Sequence, residues 1–385
     1  IFKFFVILMK IKQIYKKNLI KVIDTPYSSF VIEKILHGCT NIKEIIEIKK
    51  DLGETKLKAE NFLKISKKNI SQKKKFITTY STAFKWSKFR ILNFINFFKL
   101  RKEILKKIKF NHNQIYIGSK TSTIMNVLPR KNRILIDHGF SDYYSKAQNI
   151  SSYKKIVDRF KETISNNFGY PYISLSENIN GYTVCKIPKY SKNFIDLQNL
   201  PINKFLMKIL NRIKKNNSSV KKIFLLSKNW EENYFSGLSS KVDYDKINLE
   251  LIKKYAKKGE KFFIKYHGFD LVSNQIDISF EKKVNSLGFY AIDIDNFFQT
   301  CFKGLVPAEL LIGKLKLKKV ISKYSSTLHN ICHNKSIDCI MDINPELNFI
   351  YNDSYEYKKK LLNEYNQRNI FNSFTGKKVN IKSIN

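Results

Sequence analysis

The sequence predicts an α/β protein built as two doubly wound halves, and three observations carry that prediction. Short apolar runs rich in Ile and Val end in polar or small residues and alternate with amphipathic segments, the rhythm of β–α–β units. That rhythm loosens between about Tyr170 and Val220 into Asn, Ser, Pro and Gly, and then restarts cleanly. At 385 residues and 43% hydrophobic content the chain can fill two cores of ordinary size. A ligand between the halves is the expected arrangement for such a chain.

In chain order, NLIKVID (18–24) reads as a first strand, Thr25-Pro26-Tyr27 as its turn, and 28–36 as an amphipathic helix. A Lys-rich stretch from about Lys56 to Lys109 has apolar residues at helical spacing and is expected to be helical. QIYI (114–117) and RILID (133–137) read as strands around the helix-competent TSTIMNVL. After a helix at 204–215, the second half gives strand IFLLS (223–227), helix DKINLELIKKYAKK and strand KFFIKYH. Strand FYAIDI, a helix opened by Pro307, strand KKVIS (318–322) and strand DCIMDI complete it. No short-period repeat is present.

Charge excludes less than its size implies. The formal net charge is +39, yet the basic residues are overwhelmingly lysine, with Arg90, Arg101, Arg130, Arg133, Arg159, Arg212 and Arg368 the only arginines. Arginine is the preferred reader of bases and phosphates, and Lys, Ile and Asn are abundant together, as in a genome-wide compositional bias. No RNA- or DNA-binding signature accompanies the charge. Attraction to anionic membranes and acidic polymers is expected, with strong salt dependence. The five cysteines, irregularly spaced and odd in number, argue against a disulfide framework and for a reducing compartment. The opening IFKFFVILMK is interrupted by lysine and too short to span a bilayer, so no transmembrane helix is expected.

Four clusters hold the candidate chemistry. Val306-Pro307-Ala308-Glu309 opens a helix with Pro near its first turn and Glu309 near the positive end of the dipole. Tyr324-Ser325-Ser326-Thr327 follows strand KKVIS at its carboxyl end, where open α/β sheets bind ligands; the serines fit an anion, or one of them caps the next helix. Asp137-His138-Gly139 ends strand RILID, where a carboxylate or imidazole can take a proton, or where Asp137 caps the turn. Lys265-Tyr266-His267-Gly268 ends strand KFFIKYH; Lys265 and His267 share a strand face and can converge on one anionic leaving group, or His267 is a satisfied buried histidine. His329, Cys332, His333 and Cys339 have some metal-ligand spacing but no second CxxC or HxxxH pair, so the cysteines are read as small apolar groups.

Four pieces in order, NLIKVIDTPY, ILIDHG, FFIKYHG and VPAELLIGKLKLKKVISKYSSTL, resemble the bacterial sialyltransferases of the capsule polysialyltransferase and lipooligosaccharide sialyltransferase type, over roughly residues 18–345. The resemblance implies a GT-B-like scaffold of two Rossmann-like doubly wound domains facing a central cleft. It implies an acceptor-side domain at 18–180, a connection at 181–219, a nucleotide-donor domain at 220–345 and a helical tail at 346–385. It implies inverting transfer of sialic acid, or a related nonulosonic acid, from its CMP donor to a cell-surface glycan, with no metal and no cofactor beyond the donor substrate. Asp137 would be the general base, joined or replaced by His138, which stands where the family has a second acidic residue. His267 would act as general acid toward the departing phosphate, Ser325 and Ser326 would bind it, and Glu309 would hold the ribose hydroxyls. Lys265, Gly139 and Gly268 would complete the substrate contacts, with Pro26, Tyr27, Gly118 and Ser119 on the acceptor side. Gly268 replaces the family's proline and loosens the backbone after His267.

The expected partners are a nucleotide-sugar donor and an anionic glycan or glycolipid acceptor, with no nucleic acid. The expected place is the bacterial cytoplasm, peripherally bound to the inner face of the cytoplasmic membrane. Two alternatives stand beside this reading: a transferase using another CMP- or CDP-linked donor such as an alditol phosphate, which the departures also fit, and a non-enzymatic basic protein that binds nucleic acid, which the charge alone suggests.

Overall fold

The computed structural model describes residues 18–23, 31–32, 34–36, 44–50, 73–79, 99, 102–104, 106, 108, 114–119, 124–125, 128, 132–136, 194–227, 242–267, 278–298, 306–350, 355–375 and 379–384. The chain divides into two compact units, one formed mainly by residues up to Val184, the other mainly by Lys204–Asn385.

Unit one holds a parallel sheet of β1 (Asn18–Ile23), β2 (Glu44–Lys50), β3 (Lys73–Thr79), β4 (Gln114–Ser119) and β5 (Arg133–Ile136), in the order β3-β2-β1-β4-β5. Ile20, Val22, Ile46, Ile48, Tyr116 and Leu135 join Ile104, Ile124 and Met125 in its core. The register places Lys21 opposite Glu47, and these two buried side chains form a 3.6 Å cross-strand ion pair.

The sheet corrects one expectation. Residues 73–79 lie inside the stretch expected to be helical, yet they form β3, paired with β2 over seven positions. Phe76, Ile77, Thr78 and Thr79 are strand formers, and a full ladder of backbone bonds outweighs the helical spacing of the surrounding apolar residues. Strand β2, EIIEIKK, was not anticipated either; its short Ile-rich run sits between charged ends.

Unit two repeats the plan. Helix α1 (Lys204–Asn216) buries Leu206, Leu210 and Ile213 on one stripe. It leads into β6 (Lys222–Leu226), α2 (Tyr244–Tyr255), β7 (Lys261–Tyr266), α3 (Ile278–Ser286) and β8 (Tyr290–Asp293). Then come α4 (Ala308–Leu315), β9 (Lys319–Ser322), α5 (Ser326–Ile331), β10 (Asp338–Met341), α6 (Asn344–Leu347), α7 (Tyr355–Thr375) and β11 (Asn380–Ile381). All its strands are parallel, in the order β11-β10-β9-β6-β7-β8. Phe224 and Phe262 meet edge to face at 5.0 Å across β6 and β7, and Phe289 continues the contact at 6.4 Å. Helix α2 starts at Asp243, whose carboxylate accepts from the Lys246 N–H, and ends on Lys253 and Lys254, both matched to the helix dipole.

In each sheet the first strand lies inside, and the chain moves outward on one side before crossing to the other. That reversal, between β1 and β4 and again between β6 and β9, is the topological switch point of a doubly wound sheet. The α/β class and the two doubly wound parallel sheets expected from the sequence are therefore those the chain adopts.

Candidate active site

The carboxyl ends of β6 and β9 meet at the switch point of unit two, and the expected serine segment leaves from there. Ser322, the last residue of β9, donates from its Oγ to the Leu225 carbonyl at 3.1 Å and accepts from the Ser325 N–H at 3.3 Å. The turn into α5 is thereby tied to the neighbouring strand. Ser325 is the N-cap of α5, its Oγ accepting from the Thr327 N–H at 3.3 Å. The capping alternative is thus realised for Ser325, while the hydroxyl hydrogen stays available to donate. Ser326 begins the helix and is half-buried.

Glu309 sits in the first turn of α4, entered through Pro307 as the sequence indicates, and is 4% exposed. Its Oε1 accepts from Thr327 Oγ1 at 3.1 Å and Asn330 Nδ2 at 2.9 Å. Two side chains of α5 therefore fix the carboxylate beside the serine turn, and Oε1 is the oxygen they occupy. Thr327 stands in the sequence reading only as the end of the hydroxyl cluster and Asn330 is absent from it; their separation of three on a short helix is the signal that could have paired them with Glu309.

His267 follows β7 directly, is exposed, and its N–H donates to the Leu226 carbonyl at 2.9 Å. Ser322, Leu225 and Lys265 stand in one row across β9, β6 and β7. The chains leaving β9 and β7 thus start two strand spacings apart, roughly 10 Å.

Lys265 stands differently from the expectation that it turns its ammonium toward a leaving group beside His267. It is 5% exposed, and its Nζ lies 2.7 Å from Asp295 Oδ1. Asp295 is fully buried; its Oδ2 accepts from the Tyr266 N–H at 3.0 Å, and its own N–H donates to Asp293 Oδ1 at 2.9 Å. The ion pair thus anchors the last residues of β7, directly before His267. Burial, helped by the neighbouring Asp295 charge, pushes the Asp293 carboxyl up to about 7.

A second buried charge lies under the serine turn. Lys323 is 1% exposed, its Nζ 3.3 Å from Glu346 Oε2 and 5.2 Å from the centre of the Tyr244 ring. Nothing in the local sequence marks it, since lysine is everywhere in this chain.

In unit one, Gly118 and Ser119 close β4 at the switch point of that sheet. A Cβ on Gly118 would lie 2.6 Å from Met125 Cγ and 2.9 Å from Val22 Cβ, so this glycine is required by packing. Ser119 is 1% exposed. Strand β5 ends at Ile136, one residue before Asp137. Pro26, Tyr27, Asp137, His138, Gly139 and Gly268 lie outside the described residues.

Among the described residues no group of three His, Cys, Asp or Glu is placed to hold a metal ion. His329 packs edge-on against Phe371 at 5.2 Å, Cys332 Sγ lies 3.4 Å from the His329 carbonyl, and Cys339 is buried in β10. No described helix is long and apolar enough to cross a membrane. A shallow basic depression lined by Lys221, Lys222, Lys261 and Lys319 lies at the amino edge of the second sheet, opposite the serine turn.

No protein-family model matches the chain, and no curated protein matches it in sequence. Solved structures match in shape over nearly the whole length. One is the α/β-galactoside α-2,3-sialyltransferase of the luminous marine bacterium Photobacterium phosphoreum, with 13% identity, 95% of this chain and 98% of that chain covered, and a TM-score of 0.46. Another is the wall teichoic acid polymerase TagF, with 12% identity, 97% and 94% coverage and a TM-score of 0.40. A third is the trehalose-6-phosphate synthase OtsA, with 8% identity, 93% and 96% coverage and a TM-score of 0.35. At such identities and scores the residues, rather than these likenesses, decide function.

Proposed function

We propose that the protein is a GT-B-type glycosyltransferase that moves sialic acid, or a related nonulosonic acid, from its CMP donor to a cell-surface glycan. Transfer proceeds with inversion and without a metal, at the inner face of the bacterial cytoplasmic membrane, where the lysine excess attracts both anionic lipid and anionic acceptor. One observation carries the reading: Glu309 is bonded to Thr327 and Asn330 beside the Ser325-Ser326 turn, at the sheet edge that also releases His267. A buried carboxylate whose Oε1 is held by Thr327 and Asn330 keeps Oε2 for ribose hydroxyls, and adjacent serine hydroxyls suit the phosphate attached to that ribose.

The chemistry follows from what must leave. The bond between the anomeric carbon and the phosphate oxygen breaks as the acceptor oxygen attacks from the opposite face. The departing CMP gains charge, which donors from Ser325, Ser326 and His267 meet, with His267 supplying a proton. In this reading the acceptor hydroxyl loses its proton to Asp137, a role that His138 shares or replaces.

The test is CMP release from CMP-sialic acid by the purified protein, with and without sialylated and galactose-terminated acceptors, alongside His267→Ala. Acceptor-stimulated release that survives a metal chelator and is lost in the variant is expected. Turnover of a CDP-alditol donor instead would move the assignment to the second transferase class. Turnover of neither would sink both.

A further inference from the structure

The serine turn is held from behind by the last helix. Arg368 of α7 is 6% exposed, and its Nε donates to the carbonyl of Tyr324 at 2.9 Å. Its guanidinium also lies 5.5 Å from the centre of the Tyr324 ring, and Nη1 donates to the Glu364 carbonyl and pairs with the Glu364 carboxylate. One side chain therefore grips both the main chain and the ring of the residue before Ser325. Roughly three turns earlier on the same helix, Tyr357 donates to Glu346, and its hydroxyl meets that of Tyr244 at 2.9 Å. Glu346 in turn faces Lys323 at 3.3 Å. Of the two residues that lead into Ser325, Tyr324 is thus fastened to α7 directly through its carbonyl, and Lys323 indirectly, through Glu346 of α6, which accepts from Tyr357 of α7.

This is a costly way merely to pack a helix. Burying Lys323, Glu346 and Arg368 carries a desolvation penalty that apolar residues of similar volume would avoid. What the polar arrangement adds is position: a bonded carbonyl and a paired charge fix the backbone that aims two hydroxyls, and recognition of a phosphate demands such precision. We propose that Arg368, supported by Tyr357, is a positioning residue for the donor's phosphate, acting through the Lys323-Tyr324 backbone and touching no substrate itself. The inference rests on the CMP-donor reading above.

The experiment compares binding of CMP and of cytidine to the full-length chain by calorimetry, for wild type, Arg368→Met, Arg368→Lys and Tyr357→Phe. Cytidine lacks the phosphate, so a misplaced serine turn weakens CMP and spares the nucleoside. Arg368→Met is expected to bind CMP about 10-fold more weakly with cytidine unchanged, Arg368→Lys to recover part of the loss, and Tyr357→Phe to lose ~3-fold. Should Arg368→Met fail to fold, Arg368→Lys and Tyr357→Phe carry the comparison. A wild type that binds CMP, with every folded variant keeping its ratio of CMP to cytidine affinity, overturns the positioning role alone. A wild type that binds neither ligand overturns the CMP-donor reading and this inference with it.

Discussion

Lys265 and Asp295 form a 2.7 Å ion pair from which solvent is excluded, one partner on the last turn of pleat before His267 and the other just beyond β8. The same carboxylate holds the Tyr266 N–H, so it ties down the chain directly before the histidine. Removing one member of such a pair strands the other charge, which costs ~3–5 kcal/mol. Asp295→Ala should therefore lower the thermal midpoint of the unit by on the order of 10 °C. A fall of about a degree would show that the pair does not carry this edge.

The pH dependence of that edge has a definite sign. The Asp293 carboxyl is pushed up to about 7 by burial and by Asp295, against an ordinary value of 3.8. The folded state then binds more protons than the unfolded chain between these values. The contribution is fully present below the unfolded value and is lost as pH rises through about 7. Asp293→Asn keeps an oxygen for the Asp295 N–H and never ionises. Its thermal midpoint should exceed that of wild type at pH 8 and match it near pH 4, and an equal gap at both would disprove the shift.

Helix α4, which carries Glu309, approaches the backbone of Gln198 closely at Gly313. A Cβ at Gly313 would lie 2.6 Å from the Gln198 carbonyl oxygen and 2.8 Å from its Cα, in the short turn Leu197–Asn199. Backbone cannot yield as a side-chain tip does. Gly313→Ala should cost about 1–3 kcal/mol through overpacking and weaken CMP binding by shifting the helix. Unchanged stability in a denaturation curve would show that the turn moves freely.

Much of unit two was legible because buried parallel strands are short apolar runs between turn signals, as in KIFLL and KFFIKY. Strand β3 was not, because three lysines precede FITT and the strand is defined by its partner rather than by its own pattern. The same divide runs through the site. Glu309 and the two serines announce themselves by local chemistry, a Pro-led helix start and hydroxyls after a strand. Asp295, Arg368 and Tyr357 do not, for their partners lie 30, 44 and 113 residues away in Lys265, Tyr324 and Tyr244. In so lysine-rich a chain, a buried Lys323 is spelled like any surface lysine.

The role of Glu309 can be separated from its part in packing by choice of ligand. Thr327 and Asn330 both donate to Oε1, which leaves Oε2 as the oxygen for ribose hydroxyls in the proposed site. Glu309→Gln keeps an amide oxygen for the two protein donors and places an NH2 group, which cannot accept, on the ligand side. Hydrogen bonds to a charged group contribute ~1.5–3 kcal/mol, so CMP affinity should fall roughly 10- to 100-fold. The 2′,3′-dideoxy analogue of CMP, which has no hydroxyls to offer, should bind wild type and variant alike. An equal loss for both ligands in calorimetry would assign Glu309 to the α4–α5 contact instead, and no loss for either would place the ribose elsewhere.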